Sequence, residues 1–105
     1  MDVEYITYHE GNALLDWLEL AAAIEQGHQM SKAEVKDTFI YRKEDTLLSR
    51  SAWIDGLGLA VKSATIFPQN SLHSVPIING AVSLFSDKTG VLEACLLYTS
   101  DAADE

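Results

Sequence analysis

Five short apolar stretches, separated by turn residues, occupy most of the chain after residue 37 and restrict it to folds built around a sheet. The breaks between them contain residues 43–45, 55–56, Pro68 and the S-D-K-T-G run that ends at Gly90. Short runs rich in branched and aromatic residues, bounded by such turn signals, are typical of strands. The predicted strands are residues 38–42, 46–53, 57–67 and 78–85, and a further strand that starts at residue 91.

The first third of the chain has a different period. Residues 5–9 alternate as a short strand does, and residues 10–12 supply turn and capping chemistry. Between residues 13 and 26 apolar side chains recur at three- and four-residue steps, which predicts a helix that stops at Gly27. The polar residues 28–37 are predicted to form a loop. This order predicts an α+β fold, with an N-terminal helix or helices packed on a mixed, largely antiparallel sheet.

Length and charge restrict the classes of function. The chain has 105 residues, a length that allows one domain or part of one. Its net charge is -9. Its seven Lys and Arg are scattered, which argues against nucleic-acid binding. No apolar run is long enough to span a membrane and no secretory pattern opens the chain, so a cytoplasmic protein is expected. The three histidines lack ligand-like spacing, so no metal site is expected.

Lys62 interrupts an apolar strand, in the sequence LAVKSATIF. The two-residue period of a strand puts Lys62 on one face with Ala60, Ala64 and Ile66, where an unpaired ammonium group is costly. A lysine in such surroundings can polarise a carbonyl, accept a proton or hold a carboxylate. The competing interpretation is a lysine that reaches from the sheet to water and has no chemical role.

Two arginines lie on predicted strands of the same sheet. A guanidinium suits bidentate binding of a carboxylate, and the short turn at residues 55–56 brings the strand of Arg50 toward the strand of Lys62. Both cations are therefore expected over one pocket. Arg42 is expected to be a surface charge paired with Glu44 or Asp45. For Arg50, substrate binding and a surface ion pair both stay open.

Two patterns in the second half of the chain are more specific. The first is G-x-x-V-K-x-x-T-x-F-P-x-N from Gly58 to Asn70, and the second combines P-x-x-x-G with L-F-x-x-x-T-G between Pro76 and Gly90. On these motifs, residues 5–94 resemble the N-terminal domain of the ornithine cyclodeaminase and mu-crystallin family. The first third of the chain resembles that domain mainly in its pattern.

The resemblance implies a homodimeric enzyme that uses NAD, or alternatively NADP, for hydride transfer at an amino-acid carbon. The first candidate reaction is conversion of L-ornithine to L-proline and ammonia, an ammonia-lyase reaction in which the same hydride leaves and returns. The alternatives are reduction of cyclic ketimines such as pyrroline- or piperideine-2-carboxylate, alanine dehydrogenase activity and, in another class, ligand binding without catalysis. The family's substrate-site lysine corresponds to Lys62, which is therefore the implied catalytic and substrate-binding residue, with Arg50 as a second substrate-binding residue.

The chain departs from the family pattern at two places. Many relatives have an arginine where this chain has Lys36, Asp37 and Thr38, and an aspartate there cannot hold a substrate carboxylate. Arg50 is the candidate that replaces this arginine. Many relatives also carry a threonine where this chain has Ile77. Both changes leave open which amino or imino acid is bound.

The last eleven residues, CLLYTSDAADE, differ in character from the strands before them. They match the in-frame translation of a transposase sequencing adapter, whereas the family continues here into a helix with a T-x-x-R-T-A-like signature. The expected organisation is a partial substrate-binding and dimerisation domain at residues 1–94 and a non-native adapter read-through tail at residues 95–105. The dinucleotide-binding domain would then be missing, the fragment alone inactive, and residues 91–98 an unpaired strand edge.

Overall fold

The described part of the chain, residues 3–100, folds around one sheet in the computed structural model, with side chains described for residues 3–97. Its elements are β1 (Glu4–Ile6), α1 (Tyr8–Leu14), α2 (Trp17–Gln29), β2 (Glu34–Arg42), β3 (Asp45–Ile54), β4 (Gly58–Ile66), a 3₁₀ helix (Pro68–His73), β5 (Ile78–Phe85) and β6 (Leu92–Ser100). The strand order is β1-β6-β5-β4-β3-β2. β1 runs parallel to β6, and the other neighbouring pairs are antiparallel. The predicted α+β class with a mixed, largely antiparallel sheet is confirmed.

The central strands lie close to where the sequence predicted them. β5 has the predicted bounds, and β3 and β4 each differ from the prediction by one residue at both ends. β2 differs more, because it begins at Glu34, inside the segment predicted as a loop. All nine residues of β2 are exposed, and they form a strand because each pairs with β3, from Glu34 opposite Trp53 to Arg42 opposite Asp45.

The start of the chain turns from strand to helix earlier than predicted. β1 ends at Ile6, so the strand predicted over residues 5–9 is too long, and residues 10–12 lie inside α1 instead of forming a turn. The missed signal is the T-x-x-E spacing at the start of α1. The hydroxyl of Thr7 accepts from the backbone N–H of Glu10 at 3.2 Å and donates to its Oε1 at 2.9 Å.

A second cap divides the helix predicted over residues 13–26. Asp16 Oδ1 accepts from the N–H groups of Leu18 at 2.9 Å and Glu19 at 3.3 Å, so a new helix, α2, begins there. An aspartate with non-helical dihedrals satisfies the free N–H groups of a following helix, which favours a break over one continuous helix. Gly27 does not end α2, which continues to Gln29.

One carboxylate ties the β3–β4 turn to the β5–β6 turn. Asp87 accepts hydrogen bonds from Trp53 Nε1 at 2.8 Å and from the backbone N–H of Gly56 at 3.1 Å. Gly56 has a φ of 85°, a left-handed conformation that glycine adopts without strain. The two turns are therefore held together at the same end of the sheet.

The helices leave much of their apolar surface open. α1 packs against β6, whereas in α2 Trp17 is 71% exposed and Leu18 is 83% exposed. Among the residues whose burial the structure describes, Ala64 in β4 is the only buried hydrophobic one. This part of the chain therefore does not enclose a hydrophobic core of its own. None of its helices has the length and apolar character that a bilayer crossing requires.

β6 has a neighbour on each side for part of its length. Its residues 94–96 pair with residues 4–6 of β1, and β5 pairs along the other side. The expectation that residues 91–98 form an unpaired edge is therefore wrong for residues 94–96. Residues 95–100, which were predicted to belong to the non-native tail, continue the strand that begins at Leu92.

Candidate active site

Three charged side chains lie next to one another on one face of the sheet. Arg50 of β3 is directly opposite Asp37 of β2 on one side and Lys62 of β4 on the other. Directly opposite residues of neighbouring strands share a face, so Asp37, Arg50 and Lys62 form one charged row. The predicted adjacency of the Arg50 and Lys62 strands is confirmed. Asp37 was not predicted to be part of this row, because residues 28–37 have the composition of a loop.

Apolar residues flank the charged row on both sides, two positions along each strand. The flanking residues on the same face are Val35, Ala52, Ala60 and Leu84 on one side, and Phe39, Leu48, Ala64 and Gly80 on the other. Lys62 is half-buried and shares its face with Ala60 and Ala64, as the strand period predicted. Its partner on β5 is the apolar Val82. The charged row is therefore a small polar island on an apolar face.

Asp37 and Arg50 form a bidentate ion pair. Arg50 Nε donates to Asp37 Oδ1 at 2.6 Å, and Arg50 Nη2 donates to Oδ2 at 2.7 Å. The side chain of Arg50 is 49% exposed and that of Asp37 is 29% exposed. Substrate binding and a surface ion pair were both open for Arg50. The ion pair is formed, and it occupies one edge of the guanidinium. A substrate carboxylate could therefore use only the other edge.

The ion pair changes the protonation of both partners. The hydrogen bond from Arg50 is the main cause that holds the pKa of Asp37 below its ordinary value of 3.8; partial burial opposes this, and the charges of Arg50 and Lys62 add to it. The same hydrogen bond raises the pKa of Arg50. Because the folded-state pKa of Asp37 is depressed, its contribution to stability is present above the ordinary value and is lost as pH falls through the folded value. At neutral pH the pair is fully ionised.

We expect Arg50→Gln to raise the pKa of Asp37 toward 3.8, because it removes the guanidinium that favours the ionised carboxylate. The measurement is the titration of the Asp37 carboxyl carbon by NMR between about pH 2 and pH 6, a window that brackets the reference pKa of aspartate. Arg42→Gln, which removes an arginine from the same strand pair, should leave the titration midpoint of Asp37 unchanged. An unchanged Asp37 midpoint in Arg50→Gln would contradict the pairing.

Arg42 has the surface role that was predicted from the sequence. Its Nη2 lies 3.2 Å from Asp45 Oδ2, and its guanidinium carbon lies 5.9 Å from the centre of the Phe67 ring. Arg42 is five residues from Asp37 along β2, so it is on the opposite face from the charged row. It therefore takes no part in that site.

The opposite face of the sheet carries a cavity that sequence reasoning missed. It has a volume of about 350 Å³ and is lined by residues that include Glu34, Trp53, Leu59 and Phe85. These four residues are successive partners across β2, β3, β4 and β5. The signal that could have indicated it is strand register: Trp53 of β3 pairs with Leu59 of β4, which pairs with Phe85 of β5.

Cys95 is half-buried on β6, with its Sγ 3.9 Å from Ser83 Oγ. A serine hydroxyl is not a base that would activate a thiol, so this contact gives Cys95 no catalytic role. Across residues 3–100, no three His, Cys, Asp or Glu side chains are grouped to hold a metal ion.

Fold and site together define an α+β domain whose mixed sheet presents an arginine and a lysine side by side, an arrangement suited to a small carboxylate. Over 91 residues, the chain is 34% identical to a Δ1-pyrroline-2-carboxylate reductase of Paracoccus denitrificans (strain Pd 1222). The match covers 87% of this chain and 29% of the reductase, so the chain is homologous to that part of the enzyme. No protein-family model matches the chain.

Solved structures share the fold at lower sequence identity. The Δ1-pyrroline-2-carboxylate reductase of Thermococcus litoralis, in complex with NADH and L-proline, matches 90% of this chain with a TM-score of 0.77 and 21% identity. An archaeal alanine dehydrogenase dimer with bound NAD matches 92% with a TM-score of 0.80 and 21% identity. The iminosuccinate reductase of Paracoccus denitrificans in complex with NAD⁺ matches 95% with a TM-score of 0.72 and 18% identity. The chain covers 32%, 31% and 33% of these proteins, respectively, about a third of their length.

Proposed function

We propose that this chain is part of an enzyme of the ornithine cyclodeaminase and mu-crystallin family that reduces a small cyclic imino acid, with pyrroline-2-carboxylate as the first candidate substrate. The observation that carries this proposal is the 34% identity to a pyrroline-2-carboxylate reductase over 87% of the chain. That relative is a reductase, so reduction of the imine takes precedence over the ornithine cyclodeaminase reaction expected from the motifs. Both reactions transfer hydride at the carbon next to a carboxylate.

The charged row supplies the groups that would bind such a substrate. The free edge of the Arg50 guanidinium can hold the substrate carboxylate. Lys62, at the adjacent register position, presents an ammonium group that can donate a hydrogen bond or a proton to the substrate. In this chain the row is open to water, since the side chain of Arg50 is 49% exposed. Covering of this face by the rest of the full-length protein would exclude water and strengthen both interactions. We therefore assign Lys62 as the catalytic residue and Arg50 and Lys62 as substrate-binding residues.

Within residues 3–100, neither helix begins in the way that a dinucleotide-binding helix does. A helix that binds a pyrophosphate presents free N–H groups after a glycine-rich turn. α1 and α2 instead begin at Thr7, which bonds to Glu10, and at the Asp16 carboxylate, which would repel phosphate. We propose that NAD, or NADP, is bound by a part of the full-length protein outside this chain, where its reduced nicotinamide would supply the hydride.

The organisation that we propose is a partial substrate-binding and dimerisation domain at residues 1–94. Three observations support it: coverage of about a third of the relatives, a sheet without a hydrophobic core of its own, and the open apolar surface of α2. The full-length protein would cover these surfaces with its missing part and with a second subunit. The chain alone would then be inactive.

We propose further that residues 95–105 are a non-native tail, because every residue of CLLYTSDAADE matches the translation of one sequencing adapter. The place of residues 95–100 in β6 does not argue against this origin, since ladder hydrogen bonds use the backbone and tolerate many side chains. Amplifying and re-sequencing the source locus across codon 94 tests the proposal. A native reading frame that encodes CLLYTSDAADE would overturn it.

The activity test uses the full-length protein encoded at that locus. We expect net oxidation of NADH or NADPH with pyrroline-2-carboxylate and weaker turnover with pyruvate and ammonium. Proline formation from ornithine without net cofactor turnover would replace the reductase by a cyclodeaminase. Binding of these compounds without turnover of any of them would favour a ligand-binding protein of the mu-crystallin kind.

A further inference from the structure

The Asp37–Arg50 ion pair uses one edge of the guanidinium and leaves the other edge open. A guanidinium has five N–H donors in one plane, and Asp37 engages Nε and one N–H of Nη2. The remaining donors are both N–H groups of Nη1 and the second N–H of Nη2. One N–H of Nη1 and the second N–H of Nη2 point in the same direction and form an end-on fork that matches one further carboxylate. Because both contacts to Asp37 are short, the direction of that fork is fixed.

The charged row also has a defined net charge. Arg50 and Lys62 each contribute one positive charge, and Asp37 contributes one negative charge, so the row carries a single net positive charge. The flanking residues on both sides are apolar wherever the structure describes them. One bound carboxylate would neutralise this island. A second carboxylate would add an uncompensated negative charge close to Asp37, which is costly beside apolar surface.

We propose that Asp37 is the specificity-determining residue of this site: it orients Arg50 and restricts the substrate to acids that carry one carboxylate. This inference rests on the proposed function, and it deepens it by naming the charge class of the substrate. Asp37 acts through Arg50 and through its own charge and is a positioning residue. The iminosuccinate reductase that shares the fold acts, by its name, on a dicarboxylate, so the fold alone does not decide between the two classes.

The test compares L-asparagine and L-aspartate, which have nearly the same shape and differ by one negative charge. Their dissociation constants are measured by calorimetry with the NAD-saturated full-length protein, its Asp37→Asn variant and its Asp45→Asn variant. We expect the unmodified protein to bind L-asparagine more tightly than L-aspartate. Asp37→Asn should shift the ratio of the two constants toward L-aspartate by about tenfold, because it removes a like charge from the row.

Asp45→Asn is the matched control, because it breaks the Arg42–Asp45 ion pair between the same two strands on the opposite face. It should change the ratio by less than about twofold, as expected for a charge outside the site. Asp37→Thr, which keeps a good strand former, provides the same measurement if the asparagine variant does not fold. General destabilisation would weaken both ligands and leave their ratio unchanged.

An unchanged ratio in both Asp37 variants, or failure of all the proteins to bind either amino acid, would overturn the inference. The proposed function is judged separately. A protein that reduces pyrroline-2-carboxylate but keeps the same ratio on substitution of Asp37 retains the function and loses the specificity role. A protein that reduces no imine but shows the tenfold shift retains the specificity role and loses the function.

Discussion

Lys62→Met in the full-length protein should lower kcat/KM for the preferred imino acid by about 10²- to 10⁴-fold, the range expected for loss of a group that exchanges a proton or stabilises charge in the transition state. Methionine keeps the length and apolar stem of the side chain but has no ammonium group. The methionine should therefore pack against the apolar neighbours of this half-buried position as the stem of Lys62 does. The measurement is steady-state oxidation of NADH or NADPH at saturating cofactor.

Lys88→Met serves as the control, because Lys88 is an exposed lysine in the β5–β6 turn, remote in sequence from the charged row. It should retain activity within about twofold, as surface substitutions away from a site usually do. Near-normal turnover in Lys62→Met would show that the ammonium group is not part of the chemistry. A loss confined to KM would instead assign Lys62 to substrate binding alone.

Ser63→Pro should destabilise the full-length protein by about 3 kcal/mol or more, since proline removes a ladder hydrogen bond and does not fit a central strand. Ser63 pairs with Ser49 of β3 on one side and Ala81 of β5 on the other. Its side chain is exposed, so the substitution tests the backbone and not the packing. A loss of this size is a large fraction of the stability of an ordinary domain.

The comparison for this variant is Ser63→Ala at the same position, which keeps the N–H group and should cost less than about 1 kcal/mol. Both are measured by urea unfolding followed by far-UV circular dichroism and tryptophan fluorescence. Equal midpoints for the two variants would mean that β4 is not paired on both sides, and the strand order would then be wrong.

The sequence predicted the central hairpins well because the apolar stretches and the turn residues indicate the same strand ends. The turn at residues 55–56 also correctly predicted that Arg50 and Lys62 would lie on adjacent strands. It could not predict the partner of Arg50. Asp37 lies on an edge strand that is exposed on both faces, and a polar strand of that kind has the same composition as a loop. Only the pairing of β2 with β3 distinguishes this polar strand from a loop.

The N-terminal errors have a different cause. The alternation of residues 5–9 and the helical period of residues 13–26 are both present, but side-chain caps decide where the elements begin. Thr7 and Asp16 each bond to N–H groups two or three residues further on, and these short contacts override the period of the apolar residues. The capping side chains, and not the apolar period, therefore mark where both helices begin.

The parallel pairing of β1 with β6 has a consequence for the order in which this 105-residue chain assembles. The three residues of β1 find their partners about 90 positions later in the chain, a separation at which loop closure is entropically costly. The antiparallel hairpins β2–β3, β3–β4 and β4–β5 need only short closures and can form first. During synthesis of this 105-residue chain, β1 must therefore wait outside the growing sheet until β6 has been made, so the first strand in sequence is the last to join the sheet.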